Sequence, residues 1–166
     1  MLERDGSFLY GEDHRAFRDS VRKFLEREFI PNLDSFEEAG QVSRELWRKA
    51  GEAGMLGPSV PEEFGGLGLD FTFNAIINEE ITYAMMADGM TLHNDVTTPY
   101  FLRYMTDEQR ECWLPRIVSG DAITAIAMTE PGAGSDLQGI RTTARREGDE
   151  FVINGSKTYI TNGQNA

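Results

Sequence analysis

The sequence predicts a chain of two unlike parts. Residues 1–120 read as an all-α helical bundle, and residues 121–166 read as the first strands of an antiparallel β domain, left incomplete. Two observations carry this. Up to Gly120 the apolar residues recur at helical spacing behind capping residues. After it they form short runs of strand length, separated by the turn signals Glu147-Gly148-Asp149 and Asn154-Gly155.

Phe17, Val21, Phe24 and Leu25 make one stripe on a first helix, from about Glu12 to Glu28, that Pro31 interrupts or re-aims. Ser43 is an N-cap for a second helix with Leu46, Trp47 and Ala50 inward and Gly54 near its end. Asp70 caps a third, with Phe73, Ile76, Ile77, Ile81 and Ala84 as its stripe. Thr106-Asp-Glu-Gln109 is a capping box ahead of Trp113, Leu114, Ile117 and Val118, and Gly120 stops that helix. Five or six helices are expected. The expected strands are Ala122–Met128, Arg141–Arg146, Phe151–Ile153 and Lys157–Thr161. Four such strands cannot close on themselves, so the chain is expected to be truncated after Ala166.

Composition excludes some functions. The net charge of -12 opposes binding to a phosphate backbone or an anionic membrane surface, so neither nucleic acid nor membrane is an expected partner. A single cysteine, Cys112, permits no intrachain disulfide and suits a reducing compartment. With a polar N-terminus and no apolar run of about 18 residues, the expectation is a soluble, cytoplasmic protein. Two histidines, His14 and His93, make no metal site on their own.

The segment richest in chemistry is Ala127-Met-Thr-Glu-Pro-Gly-Ala-Gly-Ser-Asp136. Such a turn can aim several backbone N–H groups at one point, and Gly132 and Gly134 would let a ligand approach closely. No Gly-Lys-Ser/Thr follows, so it is not a P-loop, and Arg141 onward reads as strand, so it is not a dinucleotide fingerprint. A phosphate-bearing ligand and a plain turn both satisfy these residues.

Four blocks in order resemble the acyl-CoA dehydrogenase family. They are Thr129-Glu-Pro-Gly-Ala-Gly-Ser-Asp136, Pro61-Glu-Glu-Phe-Gly-Gly-Leu-Gly68, the pair Glu79-Glu80, and Asn154-Gly-Ser-Lys-Thr-Tyr-Ile-Thr-Asn-Gly163. The resemblance implies an N-terminal helical domain, a middle β barrel and a C-terminal helical bundle. It implies FAD as cofactor and the oxidation of an acyl-CoA thioester to the trans-2-enoyl-CoA. It also implies an electron-transfer flavoprotein as acceptor and a homo-oligomer, tetramer or dimer. By matching position, Met128 and Thr129 border the flavin ring, where Thr129 hydrogen-bonds the isoalloxazine. Gly134 and Ser135 contact the pyrophosphate, Ser135 also lies near the CoA substrate, and Tyr159, Ile160 and Thr161 cover one flavin face.

Two positions depart from the family's pattern. Many members carry tryptophan where Tyr159 stands, and many carry an aromatic where Ile126 stands. The wording around Thr91-Leu-His93 and Leu137-Gln-Gly139 looks closer to long-chain members. The family's catalytic glutamate matches no carboxylate here, so no catalytic residue is expected within the chain. A non-catalytic binding module and an acyl-CoA oxidase remain alternatives. Among weaker candidates, His93 is read as a surface or packing residue, Cys112 as a buried filler, and Met85, Met86 and Met90 as core or acyl-pocket residues. Glu37-Glu38 and Glu62-Glu63 are read as solvated charges. Arg141, Arg145 and Lys157 are the cations nearest the turn.

Overall fold

The computed structural model describes residues 9–84 and 89–166. Six α-helices lie among them: α1 (Glu12–Phe24), α2 (Leu33–Ala39), α3 (Arg44–Glu52), α4 (Phe71–Tyr83), α5 (Thr98–Tyr104) and α6 (Asp107–Val118). Two strands follow, β1 (Thr143–Glu147) and β2 (Glu150–Asn154). The helical part with an antiparallel β start is the architecture the sequence predicts. None of the described helices is long and apolar enough to cross a membrane.

The caps act as read. Ser43 Oγ accepts from Leu46 N–H at 3.2 Å, and Asp70 Oδ1 from Thr72 N–H at 2.8 Å. Thr106 and Gln109 close a reciprocal box at 3.0 and 3.3 Å. The first helix does not stop at Pro31. It widens into a π-helical turn at Leu25–Phe29, tightens to 3₁₀ over Ile30–Asn32, where the missing N–H of proline does no harm, and restarts as α2.

The stripes meet in one core that includes Val21, Phe24, Phe29, Leu46, Trp47, Ile77 and Ile81. Leu114, Ile117 and Val118 of α6 form a second cluster with Val60, while Trp113 turns outward under the Arg116 guanidinium. That is a correction to its expected inward face, and Cys112 is exposed rather than a buried filler. Both precede the true buried stripe at Leu114, Ile117 and Val118. Helices α3 and α6 approach so closely that a Cβ on Gly120, at φ +78°, would lie 2.4 Å from Trp47 O. Only glycine fits there.

An ion network ties α1 to α4. Arg18, 2 % exposed, donates to Glu80 at 2.9 Å and to Glu79 at 2.5 Å, and Arg22 adds two bonds to Glu80. Burial opposes ionisation of Glu80, but the Arg22 and Arg18 guanidinium groups outweigh it and lower its pKa. The family-like Glu-Glu pair is thus an anchor between helices. Breaking a buried pair of this kind leaves an uncompensated charge.

Two expected strands are absent. Residues 122–128 and 157–161 join no ladder among the described residues. Their backbone groups bond one at a time to other partners, such as Ala122 N–H to Arg116 O at 2.8 Å and Thr124 N–H to His93 Nδ1 at 3.2 Å. Tyr159, at φ +55°, leaves the extended region altogether. The hairpin is present, in the register Thr143↔Asn154 to Glu147↔Glu150, with Gly148 at φ +65° opening its two-residue turn.

Candidate flavin site

The turn after Thr129 is built by its own backbone. Glu130 N–H donates to Ala133 O at 2.9 Å and Ala133 N–H returns to Glu130 O at 3.1 Å, which folds Pro131 and Gly132 into the tip. Thr158 N–H then donates to Thr129 O at 3.0 Å, and Lys157 Nζ to Met128 O at 2.9 Å. Two segments 29 residues apart in sequence are thereby laid side by side. The structure brings Met128 and Thr129 against Lys157 and Thr158, the two residues that precede Tyr159. No hydrogen bond among the described residues joins Gly134 or Ser135 to the 157–161 segment.

Met128, Gly134, Ser135, Tyr159 and Thr161 are exposed, while Thr129 and Ile160 are half-buried. Tyr159 is 92 % exposed, a large aromatic ring held in water on a left-handed residue. A non-glycine residue in this conformation carries backbone strain. A Cβ on Gly132 or Gly134 would meet nothing within 4 Å, and neither has positive φ. Neither folding nor packing within the chain requires glycine there. The N–H groups of Gly134 and Ser135, and the hydroxyls of Thr129, Ser135 and Thr161, make no hydrogen bond within the described residues. These groups can receive an anionic, ring-bearing cofactor.

Glu130 is the residue that sequence reading missed. Its side chain is 7 % exposed, and it accepts from Arg141 N–H at 2.7 Å, Thr142 N–H at 2.9 Å, the Thr142 hydroxyl and Lys157 Nζ at 3.0 Å. The Thr142 hydroxyl, the Arg141 N–H and the Lys157 ammonium lower its pKa to about 2. A signal was available: a carboxylate inside a turn suited to anions must be neutralised by a nearby cation. Of the three cations noted, Lys157 is this partner, Arg145 pairs with Glu147, and the Arg141 guanidinium makes no ion pair among the described residues.

His93 is a core residue, fully buried, that joins the helices to the 122–128 segment. Its Nδ1 accepts from Thr124 N–H, its Nε2–H donates to Ile117 O at 3.1 Å, and it packs on Trp47. Burial lowers its pKa to about 4, so it is neutral. It sits on a π-helical turn, Leu92–Thr97, where Asn94 also bonds Gly57 N–H and Met55 O. His14 stacks on Phe73 at 4.4 Å. Asn162 reaches Gly89 O at 3.1 Å and Thr124 O at 3.0 Å, so close that a Cβ on Gly89 would clash. Met90 is core, whereas Met85 and Met86 lie outside the described residues. No cluster of three or more metal-ligating side chains occurs among the described residues.

The family model for the acyl-CoA dehydrogenase N-terminal domain matches residues 11–121, and that for the middle domain matches residues 125–166. The chain belongs to the acyl-CoA dehydrogenase family. It is 49% identical over 156 residues to the mitochondrial long-chain specific acyl-CoA dehydrogenase of Rattus norvegicus, covering 93% of this chain and 36% of that protein. A crystal structure of an acyl-CoA dehydrogenase from Geobacillus kaustophilus superposes with a TM-score of 0.90 at 48% identity, over 95% of this chain and 42% of that one. A glutaryl-CoA dehydrogenase from Mycobacterium smegmatis, solved in complex with FADH2, gives a TM-score of 0.86 at 31% identity, over 96% and 42%. The chain therefore spans well under half the length of these acyl-CoA dehydrogenases.

Proposed function

We propose that the protein is the N-terminal portion of an FAD-dependent acyl-CoA dehydrogenase that oxidises acyl-CoA thioesters to trans-2-enoyl-CoA. The observation that carries this is the alignment of the 128–135 turn beside the 157–161 segment through the 3.0 Å bond from Thr158 N–H to Thr129 O. FAD, when bound, supplies the hydride acceptor for the β-hydrogen.

This chain's residues would hold and orient it. Thr129 offers a free hydroxyl at the ring edge, flanked by Met128. Gly134 and Ser135 offer N–H groups toward the phosphates. Tyr159, Ile160 and Thr161 present an aromatic and aliphatic cover. Ser135 would also lie near the CoA part of the substrate. The proton acceptor lies outside the 166 residues. Glu130, the carboxylate nearest Thr129 in sequence, supports this: with four donors and a pKa of about 2 it is a poor base.

The division after Gly120, long-chain acyl-CoA as substrate, an electron-transfer flavoprotein as acceptor, a homotetramer or dimer, and the cytoplasm as location belong to the same reading. The identity to a long-chain specific relative supports the substrate, and the single cysteine suits any reducing compartment. The test is anaerobic mixing of the full-length, FAD-loaded protein with saturated acyl-CoAs of several lengths. Rapid bleaching of the flavin band, fastest with long chains, is expected, and none with the 166-residue chain alone. No bleaching of the full-length protein by any acyl-CoA would overturn the reading.

A further inference from the structure

Glu130 is chemically out of place for a turn that receives phosphate, since a carboxylate repels it. Its side chain points away from that task. Four donors from two other segments surround it: the Arg141 and Thr142 N–H groups, the Thr142 hydroxyl, and Lys157. Lys157 in turn holds Met128 O at 2.9 Å, and the next residue, Thr158, holds Thr129 O at 3.0 Å. Space is kept for this knot: a Cβ on Gly155 would lie 2.1 Å from the Thr142 hydroxyl oxygen. Apolar burial contributes little here: from residue 125 onward Ala133 is the one buried apolar residue among those described, and every residue of β1 and β2 is exposed.

We infer that Glu130, acting through Lys157, is a positioning residue that fixes the spacing between the Thr129 edge and the Tyr159–Thr161 cover, and so sets how well the site accepts FAD. This rests on the flavin reading above. The carboxylate is taken up by protein donors. It locks two backbones in the separation that lets both reach one ligand, so cofactor binding meets a preformed site. The ammonium also neutralises the carboxylate, which would otherwise weaken an anionic ligand nearby.

The test uses the full-length apo-protein with Glu130→Gln, Lys157→Met and the double variant. FAD affinity, the visible circular dichroism of bound flavin, and amide exchange without FAD are measured. Each single change is expected to raise the FAD Kd about tenfold or more, the loss of one charge-assisted bond. The double variant should be no worse than the worse single, because both break one unit. Exchange should accelerate at 128–135 and 157–161 while helix α4 keeps its protection. Should Glu130→Gln fail to fold, Lys157→Met carries the same test. A Kd within twofold of wild type for both singles, or losses that multiply independently in the double, would overturn the inference and leave the flavin reading intact. A wild-type protein that binds no FAD would overturn both.

Discussion

The two regions of this chain are held together by different forces. Residues 10–124 contain nearly every buried apolar side chain, Trp47, Ile76, Ile77 and Met90 among them. From residue 125 onward, Ala133 is the one buried apolar residue among those described. The first region is ordered by area removed from water, the second by point contacts: Glu130 with Lys157, Thr158 with Thr129, Asn162 with Gly89 and Thr124. Apolar burial tolerates small displacements of many atoms, whereas a knot of charged and hydrogen-bonded groups fails when one member is lost. The proposed site stands on the second kind of order.

The largest expected effect breaks the first region. Trp47→Ala removes a side chain with no exposed surface at the centre of the core. A loss of about 3–5 kcal/mol is expected in denaturant unfolding. Loss of less than about 1 kcal/mol would mean the helices are not organised around it.

Acid should act on the junction between the regions. His93 has a folded pKa of about 4, below the ordinary imidazole value of 6.5, because burial disfavours the imidazolium. The unfolded chain therefore takes up a proton that the folded chain refuses. The contribution is fully present above about pH 6.5 and is lost as pH falls toward 4. Stability should decline between pH 6.5 and 5, with a slope approaching about 1.4 kcal/mol per pH unit. His93→Gln should lower stability but flatten that slope in urea titrations at each pH. An unchanged slope would assign the acid sensitivity to other groups.

The smallest effect is expected in the hairpin. Phe151 is 65% exposed, so Phe151→Ser in the 166-residue chain should change stability by less than about 0.5 kcal/mol. The backbone amides of 143–154 should exchange quickly compared with those of α4. A monomer strongly protected across 122–161 would show that the β segment is self-sufficient, and the contrast would dissolve.

What was legible in the sequence follows the same contrast. Ser43, Asp70 and the Thr106 box locate three helix starts because caps are local chemistry. The hairpin was legible from Gly148. The π-helical turn at Leu92–Thr97 was not, since His93, Asn94 and Thr97 are polar residues buried by partners far along the chain. Residues 122–128 look like a strand because a short apolar run of that length does, but the sequence does not say that their backbone partners are His93 and Asn162 rather than another strand. In the site, the glycines and hydroxyls were legible by type. The role of Glu130 was hidden, because a carboxylate's partner 27 residues away leaves no periodic trace.

The central claim is that Thr129 and its neighbours serve the flavin. Thr129→Ala in the full-length protein tests it most directly, by anaerobic stopped-flow measurement of flavin reduction alongside acyl-CoA affinity. A donor that meets more negative charge in the transition state than in the ground state affects the rate selectively. Loss of a charge-assisted bond of about 1.5–3 kcal/mol should slow reduction roughly tenfold to hundredfold while acyl-CoA binding weakens much less. Equal losses in rate and affinity, or an unchanged rate with FAD fully bound, would contradict the account.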